Sequence, residues 1–285
     1  MYAATITASL LAAMPLLVKA WDAPTYGDYN LIWQDNFGGN SGDRPNSNNW
    51  NIITGKLGYN SELETYTNDK TNLQLSGGYT LQIAPERDSN GDWTSGRIES
   101  RYTFVPAEGK RTLIEADIRF GSNSINNKAG IWPAFWMLGD SGRHGTAWPN
   151  CGEVDAMEQI NGALTGYGTL HCDVVGGKCN DPSGIQGWVS IPDQDWHLWR
   201  VVFDRTNGDW TAQTITWYRD GQQFHQVSGG RVGDYNAWAA VCHSSLYFIF
   251  NVAVGGSWPE PPNDSTIPGF GSMMEVGFLA VHNSK

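Results

Sequence analysis

The sequence predicts an all-β fold, a sandwich or barrel of short antiparallel strands. Three observations carry this. Short runs alternate apolar and polar residues, Gly, Asn, Asp and Pro bound them, and no long capped stretch with a 3.6-residue period interrupts them. In chain order the runs are "YTLQIAP" (79–85), "RTLIEADIRF" (111–120), "GIWPAFWML" (130–138), "GYGTLHC" (166–172), "LWRVVFD" (198–204), "QTITWYRDG" (213–221) and "LYFIFNVAVGG" (246–256). Turn signals such as Ser89-Asn90-Gly91 and Asp220-Gly221 separate them. Strands at this spacing, without helices between them, build sandwiches and barrels rather than parallel sheets.

The first twenty residues, "MYAATITASLLAAMPLLVKA", form an apolar run ending in Val18-Lys19-Ala20. The run is too short to span a bilayer with soluble flanks, and its end has the small residues that a signal peptidase requires. Residues 1–20 are therefore expected to be a signal peptide, and residues 21–285 a single secreted, extracellular domain. No Ser/Pro-rich linker or internal repeat divides that segment, and a core of this size needs no staples. Four cysteines in a secreted chain predict two disulfides, with a local Cys172–Cys179 bridge across "CDVVGGKC" a natural candidate. The sequon Asn263-Asp264-Ser265 is the candidate glycan site.

Removing Lys19 leaves 17 Lys and Arg against 29 Asp and Glu, a charge near −12. That acidity excludes nucleic acid and anionic membranes as partners, and no later segment of the mature form is apolar enough to cross a bilayer. It suits a neutral polymer. The 14 tryptophans point the same way, since an indole offers the apolar face on which a sugar ring stacks. Trp132, Ala134 and Trp136 share one face of a strand, as core or as the lining of a groove.

The stretch "CGEVDAMEQING" sets Glu153, Asp155 and Glu158 among Val154, Ala156 and Met157. In a regular strand Glu153 and Asp155 share a face, while Glu158 points into the opposite layer, where an unpaired carboxylate is costly. One extra residue, a β-bulge at Ala156-Met157, returns Glu158 to the face of the other two and sends Met157 into the layer between sheets. A retaining glycosidase needs two carboxyls about 5–5.5 Å apart. Long side chains on a concave sheet can close that gap. A solvated edge strand and a calcium site also fit the bare pattern, although EF-hand spacing is absent.

"GEVDAMEQ" resembles the E-x-D-x-x-E signature of glycoside hydrolase family 16 in its bulged, laminarinase-like form. The resemblance continues in order through "LIWQDNFGG", "NSELETYT", "WTSGRIESR", "GIWPAFWMLG", "WPNCGEVDAME", "GTLHC", "DWHLWRVVF" and "FIFNVAVGGSWPEPP". It implies a β-jelly roll of two antiparallel sheets with a concave substrate cleft. It also implies a retaining endo-β-glucanase acting on β-1,3 or mixed β-1,3/1,4 glucan. Glu153 then resembles the nucleophile, Glu158 the acid/base and Asp155 the assisting acid. His171 matches the histidine beside the acids; taken bare, a lone histidine at a strand end is more often structural. Arg97 and Asn60 match positions that bond sugar hydroxyls, and Trp136, Trp132 and Trp258 match groove aromatics. The reaction needs no cofactor. A structural calcium is in doubt, because "VGFLAVH" has Gly277 where many relatives carry an Asp. The expected partner is a β-glucan and the expected state a monomer. A transglycosylase, a hydrolase of a galactan-type polysaccharide and a glucan-binding lectin on the same fold are the alternatives.

Overall fold

The computed structural model describes residues 21–259 and 261–285, so the signal-peptide expectation for residues 1–20 lies outside the described residues. Two antiparallel sheets stack face to face. The cleft sheet has seven strands in the order Ile185–Ser190, Thr165–His171, Glu153–Glu158, Ile131–Gly139, Leu246–Val254, Arg97–Phe104 and Trp50–Ile52. The outer sheet has eight: Gln222–Ser228, Thr214–Arg219, His197–Asp204, Arg111–Phe120, Met274–Ser284, Leu81–Ile83 and Leu73–Leu75, with Tyr29–Asp35 also pairing along Met274–Ser284. Thr65–Tyr66, Trp93–Ser95 and Glu86–Arg87 form a third, small sheet, whose Trp93 joins the core. The jelly-roll expectation holds.

Alternation decides which side chains fill the space between the sheets. In Ile131–Gly139, Ile131, Phe135 and Met137 enter the core, while Trp132, Trp136 and Leu138 line the opposite face. In Leu246–Val254, Phe248, Phe250, Val252 and Val254 face the core, and Tyr247, Asn251 and Ala253 face the cleft. Two outer-sheet tryptophans, Trp199 and Trp217, fill the gap beneath Thr165–His171. They fit because that strand carries Gly166 and Gly168. A Cβ at Gly166 would lie 2.2 Å from the Trp199 ring, and one at Gly168 2.5 Å from the Trp217 ring. The Trp217 indole N–H then donates to the Asp155 carbonyl at 2.7 Å, tying the outer sheet to the acid strand.

Three features differ from the sequence reading or refine it. A helix at Tyr235–Cys242, capped by the Asp234 side chain, is too short for its period to stand out. Among the described residues there is one disulfide, Cys172–Cys179, rather than two. Cys151 and Cys242 are buried free thiols: the first lies in the loop leading into the acid strand, the second ends the helix. Gly277 sits where the pairing of the last strand with Arg111–Phe120 shifts register, and a Cβ there would lie 3.0 Å from the Trp21 indole. Residue 277 thus offers no carboxylate, and an aromatic ring lies against it, which does not fit a calcium ligand at this position.

Candidate active site

The acid strand is irregular where the sequence predicts. Against Ile131–Gly139, Met157 pairs with Phe135 and Asp155 with Trp136, leaving Ala156 unpaired. Against Thr165–His171, the three-residue step from Asp155 to Glu158 matches a two-residue step from Thr169 to Tyr167. Ala156 and Met157 are both fully buried in the core. Glu153, Asp155 and Glu158 all line one cleft of about 530 Å³, together with Asn60, Arg97, Trp132 and Trp136.

Each carboxyl has its own surroundings. The Trp132 indole N–H donates to Glu158 at 3.0 Å, and that of Trp148 to Glu153 at 3.2 Å. His171 Nε2 lies 3.3 Å from Asp155 Oδ2 and 3.8 Å from Glu153 Oε1. The other ring nitrogen, Nδ1, donates to Asp181 Oδ1 at 2.5 Å. Burial, and then the charge of Asp155, push the Glu153 carboxyl up to about 8, against the opposing pull of His171 and Trp148. Burial and Asp155 also hold Glu158 well above the ordinary carboxylate range. Burial alone depresses the His171 imidazole, but its bonds to Asp155 and Asp181 outweigh that and raise it to about 11. Glu153, Asp155 and His171 offer ligand atoms within 4.8 Å of one another. Their contacts are those of an ion-paired cluster.

The remaining expected residues gather around the acids. Trp136 is half-buried; its N–H donates to Asn251 Oδ1 at 2.8 Å, and the Arg97 guanidinium lies 4.9 Å from its ring centre. Arg97 is buried and paired with Glu99 at 2.8 Å. Asn60 sits exposed at the rim in a left-handed conformation, 3.4 Å from Glu62. Trp258 packs edge-on against Trp132, with centroids 5.4 Å apart, and against Tyr167.

The sequence reading missed Trp148, Asp181, Asn251, Glu62, Glu99 and Arg143. Asn251 had a signal, as the lone polar residue in the run "LYFIFNVAV". Trp148 and Asp181 sit in loops between strands, where no period assigns a direction.

The profile of the XgeA-like, catalytic GH16 domain matches residues 49–187. The endo-1,3-β-glucanase from Streptomyces sioyaensis superposes with a TM-score of 0.87 at 31% identity, over 93% of this chain and 100% of that one. The chain belongs to glycoside hydrolase family 16. A second member, the endo-β-1,3-glucanase from Pyrococcus furiosus, has a TM-score of 0.71 at 30% identity, over 90% of this chain and 95% of its own. Glucan endo-1,3-beta-glucosidase A1 of Niallia circulans is 31% identical over 92% of this chain, which spans 39% of that protein's length. The family membership accounts for the strand order and for the bulged acid strand at the base of the cleft.

Proposed function

We propose that this family 16 domain is a secreted, monomeric endo-β-1,3-glucanase, with β-1,3 or mixed β-1,3/1,4 glucan as its substrate, working by double displacement. The observation that carries this is the bulge at Ala156-Met157, which brings Glu158 onto the face of Glu153 and Asp155 in an aromatic-lined cleft. The relatives' names support a β-1,3-glucan substrate. An indole N–H reaches each glutamate, and Glu153 is assigned as nucleophile because His171 lies within 3.8 Å of it and favours its charged form. Glu158 has no cation paired with it among the described residues, so it is assigned the proton.

In the first step Glu153 attacks the anomeric carbon as Glu158 protonates the leaving glycosidic oxygen, giving a covalent glycosyl-enzyme and a shortened glucan. In the second, Glu158 takes a proton from water while the water oxygen attacks the anomeric carbon and frees Glu153. Burial raises both glutamates, and Asp155, 3.3 Å from His171, adds to it through its charge. Trp132 and Trp136 offer the faces against which glucose rings stack.

The test is a reducing-sugar assay on laminarin, mixed-linkage glucan, agarose and xyloglucan, repeated with Glu153→Ala and Glu158→Ala. Laminarin is the expected substrate. Azide should rescue Glu158→Ala on an activated aryl glucoside and yield the β-azide. Glu153→Ala, having lost the nucleophile, should give the α-azide by direct inversion; β-azide from Glu153→Ala with α-azide from Glu158→Ala would reverse the two roles. Cleavage of agarose with laminarin untouched would reject the glucanase reading.

A further inference from the structure

His171 is held from behind by a loop that the reaction itself does not use. That loop starts at Cys172, the residue after His171, and closes through the Cys172–Cys179 disulfide. Two residues past the bridge, Asp181 is almost wholly buried and turns both carboxylate oxygens back toward the start of the loop. Oδ1 accepts from His171 Nδ1 at 2.5 Å, and Oδ2 accepts from the Cys172 backbone N–H at 3.0 Å. The chain then passes over His171 at Gly184, where a Cβ would lie 2.7 Å from the imidazole Cε1. The imidazole therefore has one setting, with Nε2 directed at Asp155 and Glu153. A buried carboxylate that accepts from a histidine's far nitrogen fixes both the ring's orientation and its charge.

We infer that Asp181 is a positioning residue that holds His171 against the acid strand, and that the Cys172–Cys179 disulfide locks it there, so that hydrolysis depends on the bridge being closed. This rests on the glucanase reading above. The titratable groups facing His171 are Asp155 and Glu153 on its own sheet, Glu158 beyond them, and Asp181 behind. Removing the charge of Asp181 leaves the imidazole easier to deprotonate, and with it the ion pair that favours the charged form of Glu153. Opening the bridge acts on the same contact by freeing the loop. Dithiothreitol supplies two electrons and two protons to the disulfide, giving two thiols, and itself closes to a cyclic disulfide. Cys151 and Cys242 are already thiols, so among the described residues the reductant has one target.

The experiment compares native protein, Asp181→Asn and dithiothreitol-reduced native protein, with kcat and KM on laminarin measured across pH. Histidine ring signals of the 15N-labelled native protein are recorded beside them. Asp181→Asn should lose about ten-fold or more in kcat with little change in KM. The alkaline limb of its kcat/KM profile should move to lower pH. The reduced protein should lose kcat in the same direction and regain it on reoxidation. A folded Asp181→Asn with native kcat and an unmoved alkaline limb overturns the proposal, as a merely structural Asp181 would lower only the melting temperature. Should that variant fail to fold, the native protein decides. A His171 protonated on both nitrogens, with activity lost on reduction, supports the assignment. A neutral ring with bare Nδ1, or full activity after complete reduction, overturns it. If native protein cleaves no glucan, the functional reading fails, while the ring signals still report whether Asp181 holds His171.

Discussion

At the scale of the residue, the acid cluster is unfavourable for folding in the way that catalysis requires. Glu158 is buried beside Asp155 and Glu153, so its carboxyl holds a proton that the unfolded chain releases in the ordinary carboxylate range. The folded state then binds more protons than the unfolded state, and stability must fall as pH rises above that range. Gln mimics the protonated acid. Glu158→Gln should therefore melt with the native protein near pH 4.5 and above it near pH 8, by about 2–4 °C for each kcal/mol regained. Its hydrolysis of natural glucan should be lost at both values. Scanning calorimetry at the two pH values checks this, and a variant less stable than native protein at pH 8 would contradict the burial argument. Of the site, the common face of the three acids was legible from alternation and the bulge and the shared face of Trp132 and Trp136 from alternation, while His171, Arg97, Asn60 and Trp258 came as positions the family resemblance implies. Trp148 was not legible, although its N–H reaches Glu153, because it lies in the loop between two strands. The sequence carries no period there.

At the scale of the element, the bulge and the two glycines of Thr165–His171 work together. The bulge turns Met157 into the core, while Gly166 and Gly168 thin the neighbouring strand so that Trp199 and Trp217 can press up beneath it. The bulge was legible because a buried, unpaired glutamate is costly and one extra residue removes the cost. The glycines were visible as letters, but not what they admit, since the partners lie on strands some thirty to fifty positions further on. The Tyr235–Cys242 helix was illegible for another reason: eight residues span barely two turns, and Asp234 as cap resembles any loop aspartate. Gly166→Ala places a methyl group 2.2 Å from the Trp199 ring, within a packed interior. It should cost roughly 1–3 kcal/mol in urea unfolding and lower kcat/KM as the acid strand shifts. An unchanged midpoint would mean that the ring has room to retreat.

At the scale of the whole molecule, one covalent staple and two free thiols fit a core that two sheets already close. The expectation of a second bridge came from counting four cysteines, and counting cannot tell that Cys151 and Cys242 stay buried as free thiols. A thiol reagent should thus find none reactive in the native protein, two after unfolding without reductant, and four after reduction. Four titrating without reductant would remove the Cys172–Cys179 bridge. The sandwich itself was legible because alternation with turn punctuation is a local signal. The order of strands within each sheet, which depends on distant pairings, came only through the resemblance. One of those pairings reaches beyond stability. Tyr29 lies opposite Ser284 in the outer sheet, Lys285 donates its backbone N–H to Asp28, and His282 reaches the Pro24 carbonyl. The described chain therefore enters at Trp21, against Gly277, runs along the last strand and pairs with its far end at Lys285, so both of its ends lie on the sheet that faces away from the acids. A further module spliced to either end hangs behind the catalytic face like a handle, and a long polysaccharide can lie across the front without meeting it.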